Sequence, residues 1–306
     1  MSIGGFRYVP PARHNRSVAV IVEFETQRQQ LFGLAYRLLG AAGEAEEIVQ
    51  EAFLRWKQAD RAEIAHPDVW QMKIVAGLCV SRLGAARSIR DRHRGPWLPE
   101  PVPTDALGRL DTAEQRISAS LALLALLERR TPRERAVVVL REAFGYRYRE
   151  IAEVMELSSG NCRQLYHRAA RQLTGRRPVV QPCRDQRVWL AEQFLAATCR
   201  GDSRGLEEIL AEEVTVCADG ASGATISRDP VVGRGQVVRD LIGGFRKIAS
   251  PVKFGVAEIN ASTAIVARAE EVLLAVVAME IDNGRIASLL IVANPEKLSF
   301  FAAQRG

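Results

Sequence analysis

The sequence predicts a multidomain protein: two all-α helical units at the front and a C-terminal α+β domain. Three observations carry that prediction. Apolar residues recur at helical spacing as far as Leu173, whereas beyond Val214 short β-rich runs separated by turn residues take over. Two proline-bearing stretches, 95–103 and 176–182, interrupt the pattern, because proline removes a backbone donor and fixes φ. The net charge of +6 is also unevenly placed: residues 1–185 hold 29 Lys and Arg against 21 Asp and Glu (+8), and residues 186–306 hold 13 against 15 (−2). The expected division is a disordered tail over 1–22, a helical unit over 23–95, a proline-rich linker over 96–111, a second helical unit over 112–175, a linker over 176–185 and the α+β domain over 186–306.

In the tail, Pro10 and Pro11 stand among scattered Arg and Ser, and no apolar run of the kind an export signal carries is present. The chain is therefore expected in the cytoplasm. In the first unit Phe24, Leu31, Leu34, Ala35, Leu38 and Leu39 form a helical stripe that stops at Gly40. The next helix, 44–56, has two faces. Ile48, Ala52, Phe53 and Trp56 suit a core, while Glu44, Glu47 and Glu51 stack with Gln50 on another side. Like charges at that spacing cost about a few tenths of a kcal/mol each, so the stripe is read as a docking face for a basic partner. His66-Pro67-Asp68 opens a third helix whose expected buried face is Trp70, Ile74, Leu78 and Leu83. It runs into Arg82, Arg87, Arg90, Arg92 and Arg94, a phosphate-contacting series. In the linker that follows, Trp97 and Leu98 are too apolar to leave in water, so the linker is expected to pack on something.

The second unit contains Leu121, Leu124, Ala125 and Leu127 on one helix. Thr131-Pro132-Arg133-Glu134 is a capped start for the next, with Gly145 closing it. Residues 148–173 read as a helix-turn-helix. Ile151 and Met155 face inward, Leu157 sits in the turn, Ser158 or Ser159 caps the second helix, and Cys162 and Leu165 bury it. That leaves Asn161, Arg163, Gln164, Tyr166, His167, Arg168 and Arg171 at or beside the surface, residue types that read base edges and grip phosphates. In the α+β domain, 188–195 and 202–210 read as helices. Runs 214–217, 252–257, 264–269, 272–281 and 286–292 read as strands, with Asp282-Asn283-Gly284 as a hairpin turn.

Composition excludes several classes. Cys79, Cys162, Cys183, Cys199 and Cys217 make no C-x-x-C pair and lack a His at ligand spacing, so reduced thiols are expected and no metal or cofactor site. No apolar run is long enough to span a membrane. Asp202, Asp219 and Glu280 are the carboxylates a catalytic reading of the C-terminal domain would use. Residues 186–306 contain no His and no Tyr, the commonest acid–base partners, so no catalytic residue is assigned and the chain is read as a non-enzyme.

In this order, the acidic helix, the basic helix and the helix-turn-helix resemble a bacterial extracytoplasmic-function sigma factor of the sigma-70 family. The resemblance implies that the first unit is sigma region 2 and the second is sigma region 4. It makes Glu47, Gln50, Glu51, Phe53 and Leu54 contacts to the β′ clamp helices of core RNA polymerase, with the β subunit as a further partner. It assigns Arg82, Arg87 and Arg90 to melting and holding the −10 element. It assigns Asn161, Arg163, Gln164, His167, Arg168 and Arg171, on a recognition helix over 159–171, to promoter DNA at the −35 element. Trp97-Leu98-Pro99-Glu100-Pro101 matches the linker motif of a subgroup with a fused SnoaL-like domain, a cone-shaped α+β fold shared with nuclear transport factor 2. Asn294-Pro295-Glu296-Lys297-Leu298 resembles that subgroup's closing motif. By this resemblance Trp97, Leu98, Pro99, Glu100, Pro101, Asp219, Gly220, Asn294, Pro295 and Lys297 are interdomain regulatory residues, and no separate anti-sigma factor or membrane is expected.

The chain departs from the family at three places on the melting helix, where Gly77, Ser81 and Gly84 stand for the usual Asn, Asp and Arg. The family's glycine-rich DGGGK motif is reduced to Asp219-Gly220-Ala221-Ser222-Gly223. Two rival readings are kept. One is a SnoaL-like domain that senses a small ligand or is weakly enzymatic; the other is a one-component repressor or activator that uses only the helix-turn-helix, which leaves the acidic helix unexplained.

Overall fold

Three helices make the first unit: α1 (Ala12–Leu39), α2 (Ala42–Gln58) and α3 (Pro67–Arg90). The computed structural model describes residues 12–90, 97–173, 182–220, 229–246 and 251–304, without the side chains of 12–19, 86–90 and 172–173. The first helix begins inside the stretch read as a disordered tail. Val20 and Phe24, one turn apart, both enter the core, and the Val20 carbonyl accepts the Trp56 indole N–H at 3.3 Å. Residues 1–11 of that tail lie outside the described residues. At its other end α1 stops as expected at Gly40, whose φ of +71° favours glycine and whose N–H donates to the Tyr36 carbonyl at 2.7 Å.

The buried face of α3 differs from the expected stripe. Met72, Val75, Ala76, Cys79 and Leu83 are buried, while Trp70, Ile74 and Leu78 flank them half-buried. The reason is that α3 packs against α1 and α2 on one side and against the second helical unit on another. A single apolar stripe describes only a helix covered from one direction.

The second unit comprises α4 (Ala113–Ala119), α5 (Leu121–Leu127), α6 (Pro132–Glu142), α7 (Tyr148–Met155) and α8 (Ser159–Leu173). Capping boxes at Thr112/Gln115 and Thr131/Glu134 start α4 and α6, the second as the sequence predicts. The two units do not have separate cores. One apolar cluster runs from Phe24, Leu38 and Trp56 through Val75 and Val137 to Ile151 and Cys162. Arg135 of α6 ties them further: its Nε–H donates to the Arg37 carbonyl at 3.2 Å, one of the carbonyls that α1 leaves unbonded at its end, and its guanidinium pairs with Glu128.

The C-terminal domain contains α9 (Arg184–Arg200), α10 (Ser203–Ile209), β1 (Leu210–Gly220), β2 (Val231–Val232), α11 (Arg234–Phe245), β3 (Lys253–Ile259), β4 (Ser262–Ala269), β5 (Val272–Asp282), β6 (Arg285–Ala293) and α12 (Pro295–Gln304). The strands order β2-β1-β6-β5-β4-β3, with β1 parallel to β6 and every other pair antiparallel. Asn283 and Gly284 take positive φ in the β5–β6 turn, as expected, and Asn260 and Ala261 do so between β3 and β4.

Helices α9, α10 and α11 cover one face of this sheet through Leu190, Phe194, Leu206 and Val237. The other face is covered by Leu98 of the linker, Leu121 of α5, and Leu298 and Phe301 of α12. A sheet buried on both faces explains why β5 and β6 are almost continuously apolar instead of alternating. Among the described residues no helix is long and apolar enough to cross a membrane.

Gly77 and Gly84 are exposed on α3, and an added Cβ at either meets nothing within 4 Å. Each Gly→Ala substitution should raise unfolding stability by about 1 kcal/mol, read as a higher urea midpoint; no gain would mean that α3 is not a continuous helix there.

Candidate functional site

Four of the five acidic-helix residues share one outward face of α2. Glu47 and Gln50 are exposed, Glu51 is half-exposed and Leu54 is 56% exposed, at spacings i, i+3, i+4 and i+7. Phe53 is not among them. Its ring turns inward and tilts against Phe24 with centroids 5.1 Å apart. The carboxylates are also more neutralised than a bare stripe would be. Arg82 of α3 reaches Glu47 at 3.1 Å, Arg55 pairs with Glu51 at 2.7 Å, and Arg28 pairs with Glu46 at 2.7 Å. Exposed pairs of this kind contribute about 0–1 kcal/mol, so they orient the carboxylates without locking them.

On α3, Arg82 is therefore engaged with α2, while the side chains of Arg87 and Arg90 lie outside the described residues. Gly77, Ser81 and Gly84 present a strip without long side chains; the Ser81 hydroxyl donates back to the Gly77 carbonyl at 3.0 Å.

The helix-turn-helix forms from α7 and α8. Glu156 takes the left-handed turn position (φ 53°), and the Ser158 hydroxyl accepts the Asn161 N–H at 3.1 Å to cap α8. Cys162, Leu165 and Ala169 face the core, leaving Asn161, Arg163, Gln164, His167, Arg168 and Arg171 exposed. Tyr166 is half-buried instead, its hydroxyl donating to Glu142 at 2.6 Å. Arg168 reaches back to Glu134, and Arg163 lies over the Tyr148 ring at 5.6 Å. Lys73 of α3 pairs with Glu156 at 2.8 Å and holds that carboxyl below its usual range.

The linker is where all parts meet. Leu98 is 2% exposed; its N–H donates to Asp219 at 3.0 Å and its carbonyl accepts from Lys297 at 2.6 Å. Lys297 also forms an ion pair with Asp219 and sits 4.3 Å from the centre of the Trp97 ring. Burial pushes the Lys297 ammonium below its ordinary range, against the opposing pull of Asp219. Trp97 lies so close to Gly40 that a Cβ there would sit 2.7 Å from the ring. The Glu100 N–H donates to the Gly40 carbonyl at 2.9 Å, the Glu100 carbonyl accepts from the Tyr36 hydroxyl at 2.6 Å, and its carboxylate accepts the Ala42 N–H at 2.7 Å. Burial raises the Glu100 carboxyl despite those bonds, and raises the Tyr36 phenol strongly. Pro99 and Pro101 are buried between these anchors.

Local sequence explains how the C-terminal partners are presented. Asn294 accepts the Glu296 N–H at 3.0 Å and Pro295 opens α12, so Lys297 projects from the first turn toward the linker. Asp219 is the penultimate residue of β1, and exposed Gly220 closes that strand; residues 221–223 lie outside the described residues. The three carboxylates considered for catalysis do not act together. Asp202 caps α10 through the Gly205 N–H at 2.9 Å, Asp219 holds the linker, and Glu280 stands opposite Ser288 in the sheet.

Sequence reasoning missed Asn260. This residue is 0% exposed; its amide NH₂ donates to the Tyr36 hydroxyl (2.8 Å) and the Ala119 carbonyl (3.0 Å), and its side-chain oxygen accepts the Val102 N–H (3.0 Å). Its own N–H donates to the Val102 carbonyl at 3.1 Å. One side chain thus joins the sheet domain, both helical units and the linker. Arg116 of α4 adds a second tie, to Glu258 on β3.

Comparison with known proteins agrees with this architecture. Residues 24–89 match the family Sigma-70 region 2, and residues 120–173 match Sigma-70, region 4. The chain is 32% identical over 295 residues to the ECF RNA polymerase sigma factor SigJ of Mycobacterium tuberculosis, covering 91% of this chain and 93% of that protein. It is 30% identical over 292 residues to the probable ECF RNA polymerase sigma factor SigI of the same species, covering 94% and 97%. The crystal structure of M. tuberculosis SigJ superposes with a TM-score of 0.72 at 28% identity, covering 92% of this chain and 98% of that one.

Replacing Asn260 by Asp leaves nothing to donate to Tyr36 and Ala119 and adds a buried charge. Asn260→Asp should lower stability by at least about 2 kcal/mol in urea unfolding, with loss of cooperativity between helical and sheet signals; a neutral effect would contradict the joining role.

Proposed function

This chain belongs to the extracytoplasmic-function family of sigma-70 RNA polymerase sigma factors, in the subgroup with a fused SnoaL-like domain, and we propose that this domain acts in cis by holding the inter-unit linker shut. A sigma factor supplies core RNA polymerase with promoter recognition, and that is the function of this chain. The assignments of individual residues are our reading. Glu47, Gln50, Glu51 and Leu54 form the clamp-docking face, with Phe53 supporting it from inside. Arg163, Gln164, His167, Arg168 and Arg171, with Asn161, read the −35 element, and Arg82 with Arg87 and Arg90 serves the −10 element.

The observation that carries the regulatory reading is the capture of Leu98, with its N–H on Asp219 and its carbonyl on Lys297. Reading two promoter elements about two duplex turns apart requires the helical units to separate by roughly 70 Å. Units that share one apolar cluster, with Val102 and Leu107 of the linker inside it, are not separated in that way. The −35 reading face of α8 is already exposed, so the sheet domain controls the spacing of the units and leaves access to that face open. An intramolecular partner acts at high effective concentration, which removes the need for a separate anti-sigma protein. Core polymerase opens the latch by preferring the extended state. Neither domain needs chemistry of its own for this mechanism.

Two measurements test the proposal. In gel filtration with core polymerase, Gln50→Ala/Leu54→Arg should abolish co-elution; retained binding would remove the docking assignment. In run-off transcription, Asp219→Ala/Lys297→Met should raise output several-fold over the unaltered chain, and equal or lower output with core binding intact would remove the latch.

A further inference from the structure

A half-open cleft of about 480 Å³ lies between the start of α9, the edge strand β3 and its neighbour β4 in the sheet domain, away from the Asp219–Lys297 latch. Its volume falls in the range of small-molecule sites. Val188, Phe254 and Val256 give it an apolar wall, and Arg184 and Arg187 stand at the same opening. Arg187 is only 8% exposed, and its buried Nε–H has no hydrogen-bond partner among the described residues. A buried guanidinium donor left unpaired costs more than a buried neutral donor, because it is charged.

The charges facing this arginine leave it short of compensation. Glu258 is held by Arg116 of α4, and Glu192 is exposed on the next turns of α9. Arg116 and Arg184 both repel Arg187, and burial is the largest influence pushing its guanidinium down. The cleft is thus lined by two arginines, Arg184 and Arg187, against the exposed Glu192 and a Glu258 that also pulls on Arg187 but is already paired with Arg116. No reaction is implied, because the lining holds no acid–base pair suited to one.

We propose that this cleft binds a small amphipathic acid, its carboxylate or phosphate head on Arg187 and Arg184 and its short apolar body against Val188, Phe254 and Val256. An anion seated there supplies the acceptor that Arg187 lacks and adds negative charge beside Glu258. Glu258 is one end of the tie to α4, so occupancy changes the charge balance around the Arg116–Glu258 pair and couples the cleft to the contact between the sheet domain and the helical units. That consequence for transcription rests on the latch reading above; the binding itself does not.

The test is thermal unfolding of the full chain with octanoate, octyl phosphate, octanol or sodium sulfate at matched ionic strength. Either acid at ten-fold excess over its Kd should raise Tm by about 2 °C, saturably, with octanol and sulfate well below it. Comparison of the two acids identifies the preferred head. Arg187→Gln should remove the shift, and Val188→Trp, which fills the cleft and leaves every charge in place, should remove it as well. No shift with either acid, an equal shift with octanol or with sulfate alone, or a shift that survives in both variants would overturn the proposal. Core-polymerase affinity with and without the acid is read separately. An unchanged affinity alongside a genuine Tm shift removes the latch consequence and leaves the binding site standing.

Discussion

Everything in this arrangement depends on burying an extended peptide without orphaning its backbone. An unpaired buried N–H or carbonyl costs about as much as a whole hydrogen bond contributes, and a linker that runs between domains has no helix or sheet of its own to pair with. The segment Leu98-Pro99-Glu100-Pro101-Val102-Pro103 meets that constraint by alternation. Proline at every second position removes half the donors outright, and Pro99, Pro101 and Pro103 are buried. The three donors that remain are each met from a different direction: Leu98 by Asp219, Glu100 by the Gly40 carbonyl, and Val102 by Asn260. The carbonyls of the same three residues go to Lys297, Tyr36 and the Asn260 N–H. The peptide behaves as a strand whose neighbours belong to other domains.

Pairing of this kind selects one arrangement more than it strengthens it. Two charges withdrawn from water recover little more than the desolvation they cost, so the Lys297–Asp219 pair is a weak source of stability but a strong penalty for any misaligned linker. The apolar cover supplies most of the remaining gain: Leu98 lies on the sheet beside Leu121, Leu298 and Phe301. That cover is shared between domains, and in the proposed latch its loss on opening would expose the outer face of β4 to β6. Under the latch proposed above, the open state needs a partner to become dominant, and its population follows the differential affinity of core polymerase for the two states.

Some of this was legible in the sequence and some was not. The helix-turn-helix, the capped start at Thr131, the Gly40 stop and the Asp282–Gly284 turn were all legible, because each is set by neighbours within a few residues. That Trp97 and Leu98 must be covered was legible too, from their apolarity amid prolines. What covers them was not legible from the residues themselves; the family resemblance alone pointed to Asp219 and Lys297, which do meet Leu98. Asn260 marks itself only as a turn residue able to take positive φ, and its partners Tyr36, Val102 and Ala119 are far away in the chain. The inward turn of Phe53, the engagement of Arg82 by Glu47 and the wider buried face of α3 were hidden for the same reason: each depends on which helix lies alongside. The early start of α1 depends on Val20 finding Trp56, a contact between helices that local composition does not announce.

Amide hydrogen exchange at Leu98, Glu100 and Val102 tests the central claim most directly. In the free protein the three amides should be protected together, to the level of the β5–β6 ladder, and they should lose that protection as one unit when core RNA polymerase binds. Exchange at loop rates in the free protein, or protection that persists in the polymerase complex, would contradict a linker held shut by the sheet domain.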